Sequence, residues 1–138
     1  MKKIFHVVIV FLIPLLICSN ACVGGGMEKQ DDLTGIYIGL IPDASCLGIV
    51  VVAILNAEGD YGITYQYINN STEIFIFTGT YIWDRASKMI TLDSKELPPY
   101  YRVDDQGLTQ LDLKGKEIPG NLGDLYKLKK VKPPIDAL

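Results

Sequence analysis

From Leu33 to Lys130 the chain alternates short apolar runs with clusters of Gly, Pro, Asn, Asp and Ser, and no stretch keeps a helical period. Apolar residues recurring every second position between turn residues mark half-buried strands. The runs predict strands over Thr34–Ile41, Leu47–Leu55, Tyr61–Ile68, Glu73–Trp83, Lys88–Leu92, Tyr100–Val103, Leu108–Leu113 and Leu125–Lys130. Between them lie turn-rich links such as Asn56–Asp60, Asn69–Ser71, Asp84–Ser87 and Asp104–Gly107. About eight short strands with close turns predict an all-β fold, a small closed antiparallel barrel whose closure removes exposed edges. An open sandwich is the alternative.

Two details refine this pattern. Gly79 sits inside the long fourth strand, where a glycine marks a bend that lets one strand serve two neighbours at a barrel corner. The second and fourth strands are apolar on both faces: Val50, Val52 and Ile54 alternate with Ile49, Val51 and Leu55, and Ile74, Ile76 and Ile82 with Phe75, Phe77 and Tyr81. One set fills the barrel; the other faces out and needs cover, for which the Ile118–Gly123 connection and the chain ends are the expected source. Tyr61, Tyr65, Tyr67, Phe75, Phe77, Tyr81 and Trp83 have the bulk to fill a barrel of this size, which otherwise holds one small ligand. The closing lysines, Lys127, Lys129, Lys130 and Lys132, read as protection for an edge strand.

The N-terminal pattern is different. Lys2 and Lys3 precede an apolar stretch from Ile4 to Ile17 that contains Pro14. A permanent span wants about 20 apolar residues, so the stretch reads as a cleaved secretory leader over residues 1–21. Cleavage needs a small residue before the cut: Ala21 precedes Cys22, whereas the bulky Ile17 precedes Cys18. Cys22 is therefore the expected lipidation site and the protein's hold on a membrane. Residues 22–32, with Gly24, Gly25 and Gly26, form the expected tether, residues 33–131 the domain, and residues 132–138 a disordered tail. Val23 after Cys22 lacks the aspartate that retains enteric lipoproteins at the inner membrane, which favours the outer membrane of a Gram-negative bacterium.

Charge and chemistry then narrow the function. The formal net charge of -3 and the lack of a basic stripe with interleaved aromatics exclude nucleic acid as a partner. The single histidine, His6, leaves with the leader, so Ser-His-Asp and Cys-His hydrolase schemes are excluded for the domain. After lipidation only Cys46 remains, a thiol that is buried, reactive or paired in trans. A reactive thiol needs an electropositive setting, and no Lys or Arg lies between Lys29 and Arg85 in sequence. No catalytic residues, metal site or cofactor are predicted.

The segment Tyr37-Ile38-Gly39-Leu40-Ile41-Pro42-Asp43-Ala44-Ser45-Cys46-Leu47-Gly48-Ile49 resembles the opening signature of NlpE-type lipoproteins, which reads Tyr-x-Gly-x-Leu-Pro-Cys-Ala-Asp-Cys-x-Gly-Ile. The likeness continues through Glu58–Tyr61, Gly79–Tyr81, Ile90–Leu92, Leu111-Asp112 and Tyr126–Leu128. It implies a lipocalin-like barrel on an outer-membrane lipid anchor, and a role linked to copper tolerance, surface adhesion and envelope-stress signalling. Longer members carry a second β domain, which is not expected in this chain as it runs to Leu138. The family's Cys-x-x-Cys is here Asp43-Ala44-Ser45-Cys46, so Asp43 and Cys46 are the remnant of the motif. Two thiolates could chelate Cu(I) or cycle as a disulfide; one thiol beside a carboxylate does neither well, which argues against copper binding. The resulting expectation is a non-enzymatic lipoprotein acting by contact with an envelope partner, the alternative being a small-molecule-binding lipocalin-like barrel.

Overall fold

A computed structural model describes residues 33–69 and 73–132. The expected leader, Cys22, the tether and the tail from Pro133 lie outside the described residues. Eight antiparallel strands follow one another round a closed barrel: β1 Gly35–Ile41, β2 Ile49–Leu55, β3 Asp60–Tyr67, β4 Ile74–Asp84, β5 Met89–Leu92, β6 Tyr100–Asp104, β7 Gly107–Gln110 and β8 Lys127–Lys130. The closed barrel, and not the open sandwich, is the fold.

Alternation decides which side chains enter. Along β2, Ile49, Val51, Ala53 and Leu55 are buried, and across the register they meet Tyr37 and Ile41 of β1 and Tyr61, Ile63 and Tyr65 of β3. Tyr37 and Tyr101 are the largest fully buried side chains. The aromatic filling expected from β3 and β4 is present in part: Tyr61, Tyr65 and Tyr81 are buried, Tyr67, Phe77 and Trp83 are half-buried and Phe75 is exposed. Tyr65 meets Phe77 and Tyr67 meets Phe75 edge to face, with ring centroids 5.6 and 5.7 Å apart. Edge-to-face geometry sets the positive rim of one ring against the negative face of the other.

Gly79 marks the corner. β4 pairs with β3 from Gln66↔Ile74 to Asp60↔Thr80, one residue past the glycine, and then with β5 from Tyr81↔Leu92 to Asp84↔Met89. A side chain at Gly79 would collide with the Asp93 carboxylate, 2.3 Å from the Cβ position, and with the Tyr61 ring. The ring closes where β1 meets β8 at Tyr37↔Lys130 and Ile38↔Lys129.

Three expectations change. β8 pairs with both β7 and β1, so its lysines guard no edge. The seventh strand ends at Gln110 because Asp112 starts a tight turn, its Oδ1 accepting the N–H of Lys114 and of Lys116, each at 2.8 Å. Leu125 and Tyr126 belong to a 3-10 segment, Gly120–Tyr126, that packs against β1 and β7. Among the described residues that connection leaves outward apolar side chains of β1, β2 and β4 uncovered: Ile38, Leu40, Ile54 and Ile76 are 42%, 55%, 49% and 71% exposed. The chain ends, the other expected cover, lie outside the described residues.

Closure depends on Gly39, where a Cβ would lie 2.5 Å from the Lys127 carbonyl oxygen and 2.6 Å from Leu128 Cδ2. Gly39→Val should destabilise the barrel by about 1–3 kcal/mol, the usual cost of overpacking. Gly62→Val is the control, since nothing lies within 4 Å of its Cβ position. Urea midpoints measure both, and equal midpoints would contradict the role given to Gly39.

Candidate functional site

The start of β1, the ends of β4, β6 and β8 and the turns after them frame one mouth of the barrel. In the β4–β5 turn, Asp84 accepts the Ala86 N–H at 3.0 Å and the Ser87 hydroxyl at 2.7 Å. This shape carries Lys88 into the left-handed region at φ 53°, and its carbonyl accepts the Val103 N–H at 2.8 Å. In the β6–β7 turn, Asp104 accepts the N–H groups of Gln106 and Gly107 at 2.8 and 3.0 Å. Asp84, which makes several such bonds, is held below the usual carboxylate range chiefly by the Ser87 hydroxyl.

These turns enclose a cavity of about 530 Å3. Leu33, Tyr37, Trp83 and Val103 supply its apolar surfaces. Arg85, Lys88 and Lys130 bring positive charge, opposed by Asp104 and Asp105. The Lys130 ammonium stands 5.7 Å from the centre of the Tyr37 ring, within cation–π range. The Tyr37 hydroxyl donates to the Leu33 carbonyl at 2.7 Å and so ties the entering chain to the wall. Such a mouth can seat an apolar group with an anionic head. Sequence reasoning placed Trp83 in the barrel but missed the cavity, whose walls come from stretches far apart in the chain.

Asp43 and Cys46 lie in the β1–β2 loop at the opposite end. Asp43 Oδ1 accepts the Ser45 N–H at 2.8 Å and also the Ser45 hydroxyl; these bonds, the hydroxyl first, hold its carboxyl below the usual range. The Cys46 thiol is free and half-buried, with Sγ 3.2 Å from the Gly48 carbonyl and 3.7 Å from Asp43 Oδ1. Both contacts are oxygen acceptors, which suit a thiol donor and provide no second soft ligand for Cu(I). Met89 lies on β5 at the mouth end, so the structure does not join it to Cys46, and Met27 is outside the described residues. Among the described residues no group of three His, Cys, Asp or Glu could hold a metal ion.

The chain is similar to known proteins over most of this barrel. Residues 37–121 match the family model of the NlpE N-terminal domain. Lipoprotein NlpE of Escherichia coli strain K12 is 32% identical over 81 residues, which cover 58% of this chain and 34% of that protein. The chain therefore spans about a third of that relative's length. A crystal structure of a putative lipoprotein from Shewanella oneidensis superposes with a TM-score of 0.64 at 34% identity, covering 72% of this chain and 89% of that one. The crystal structure of the Cpx pathway activator NlpE from Escherichia coli gives 0.53 at 24% identity, covering 73% and 53%, and speaks for the fold alone.

The mouth also makes stability depend on alkaline pH. Burial, and secondarily Tyr81, pushes the Tyr37 phenol from 10.0 up to about 12. Burial also raises Tyr61, Tyr65, Tyr81 and, most strongly, Tyr101. Because the unfolded phenol ionises first, the stability from keeping Tyr37 neutral is complete below pH 10.0 and is lost as pH rises towards about 12. Tyr37→Phe should lower stability at neutral pH by about 1 kcal/mol through the lost hydrogen bond. It should also flatten the alkaline fall. Urea unfolding at stepped pH reads both effects, and an unchanged slope would refute the assignment.

Proposed function

We propose that this chain, which belongs to the NlpE N-terminal domain family, is a lipid-anchored, non-enzymatic envelope protein that acts by contact in sensing envelope or surface stress. The observation that carries this reading is the bare outer face of β1 and β2, where Ile36, Ile38, Leu40 and Ile54 stay exposed. Apolar area left in water on a monomer marks an interaction surface. Cys22 after Ala21 supplies the anchor and the glycine-rich stretch to Asp32 the tether, with the domain following from residue 33 and ending near residue 131. Val23 supports the outer membrane as its place. The Escherichia coli relative bears the description of a Cpx pathway activator, in keeping with a stress role.

Direct copper binding forms no part of this reading, because Asp43 stands where the family signature has its first cysteine. Mass spectrometry of chain purified from bacterial membranes should find Cys22 N-terminal and acylated. Crosslinking in those membranes should recover the same protein partner repeatedly. A chain that retains its leader removes the anchor, and a clean monomer in every crosslinking trial removes the contact role.

A second reading, a lipocalin-like binder of small molecules, is favoured by the mouth cavity of about 530 Å3 with its apolar walls and three cations. An amphiphile with an anionic head is the class it fits. Native mass spectrometry of cell-extracted protein should then show retained mass that Lys88→Glu diminishes. Bare protein from every preparation would eliminate this reading.

A further inference from the structure

A barrel strand normally spends its main-chain groups on two neighbours, and the first half of β4 has only one among the described residues. Its partners over Ile74–Thr80 are all on β3, while pairing with β5 begins at Tyr81. The direction of the unused groups follows from the two residues at the corner. Tyr81 N–H donates to the Gly59 carbonyl at 2.8 Å, towards β3. Thr80 points the other way: its N–H donates to Asp93 Oδ1 at 3.0 Å, and its carbonyl accepts the Asp93 N–H at 3.1 Å. Strand alternation then directs the N–H and C=O of Ile74, Ile76 and Thr78 away from β3 as well. Asp93 caps this edge at Thr80, and no strand continues below it among the described residues.

The open edge is also apolar. Ile74, Phe75 and Ile76 are 55%, 43% and 71% exposed. Alongside runs a cavity of about 380 Å3 lined by Tyr61, Ile76, Phe77, Thr78 and the Asp93–Glu96 loop. Proteins guard such edges with lysine, proline or a bulge. The run Ile74-Phe75-Ile76-Phe77-Thr78 has no lysine or proline, and its register with β3 runs without a bulge.

We propose that the edge Ile74–Thr78 accepts an extended segment of a partner protein as an added strand. This deepens the contact reading and rests on it for the existence of a partner. Main-chain donors and acceptors in a row call for another main chain, which hydrocarbon cannot supply. Charge selects against a second copy. Antiparallel self-pairing would set Asp93 and Glu96 of one copy near Glu73 of the other, with Lys95 the only lysine in that loop. The matching segment is apolar at alternate positions and basic at its ends.

The test uses the whole chain in detergent and, as probe, a short peptide of alternating valine and threonine flanked by lysines. Amide exchange is followed by NMR. Adding peptide should slow exchange at Ile74, Ile76 and Thr78 several-fold and leave Phe75 and Phe77, already paired with β3, unchanged. Ile76→Pro removes only an edge N–H, so its circular dichroism should match the wild type while the protection disappears. Thr78→Pro serves the same purpose should Ile76→Pro not fold. Protection of another strand, or of none, overturns the proposal. So does protection already present without peptide, whether it grows with protein concentration, as for a second copy, or does not, as for a segment of the same chain. Because the peptide arm needs no membrane, its failure is distinct from a failure of the crosslinking in the envelope.

Discussion

A small sheet can become a ring only if its last strand reaches its first, and here that contact is narrow. β8 meets β1 at two residue pairs, where the missing side chain of Gly39 lets the Lys127 carbonyl and the Leu128 side chain come close. The buried tyrosines, the mouth and the seating of the entering chain on Tyr37 all presuppose that contact. Without it, Tyr37 and Leu128 would lose the enclosure that leaves them 1% and 2% exposed. Hydrophobic burial supplies most of the drive for such packing, but main-chain geometry decides whether it can be collected.

The outside of the barrel is divided as sharply as its interior is uniform. From β1 through β4 the outward rows are Ile, Leu, Val, Thr, Gly and Gln, with Asp60 and Asp84 at the mouth end. From β6 to β8 they include Arg102, Lys127 and Lys129, with Arg102 paired to Glu117 and Lys127 to Asp124. The charged half carries ion pairs of the solvent-exposed kind, which contribute little stability each. The apolar half costs solubility, and it is on this half that the proposed contact role rests.

Much of this was legible in the sequence because strands declare themselves through neighbours two residues apart. The alternation in β2 separated its two apolar rows without telling which faced inward, and Gly79 in a long apolar run identified the corner. What the sequence could not express was where along each strand the pairing with its neighbour begins and stops. The lysines of β8 look like edge protection until the ring shows β1 beside them, and the real edge, on β4, carries no such mark. The outer rows were visible as apolar on both faces, yet only the position of the Gly120–Tyr126 segment against β1 and β7 shows that this connection, one of the expected covers, lies elsewhere. The reading of Asp43 and Cys46 as a motif remnant came from the resemblance to the family signature and not from this chain's own spacing, and the structure adds only what each atom touches.

The strand registers are unequal, and this has a kinetic side. β1–β2, β2–β3 and β3–β4 are each joined by seven residue pairs, whereas the joints from β4–β5 round to β8–β1 have four, three, four, three and two. Local opening starts where few main-chain bonds must break together. The barrel is thus a durable four-stranded hairpin stack on which a looser second half fastens and unfastens like a clasp. On that rule the two halves are expected to keep different time, amides of β7 and β8 meeting water through brief openings and those of β2 only when the whole molecule unfolds.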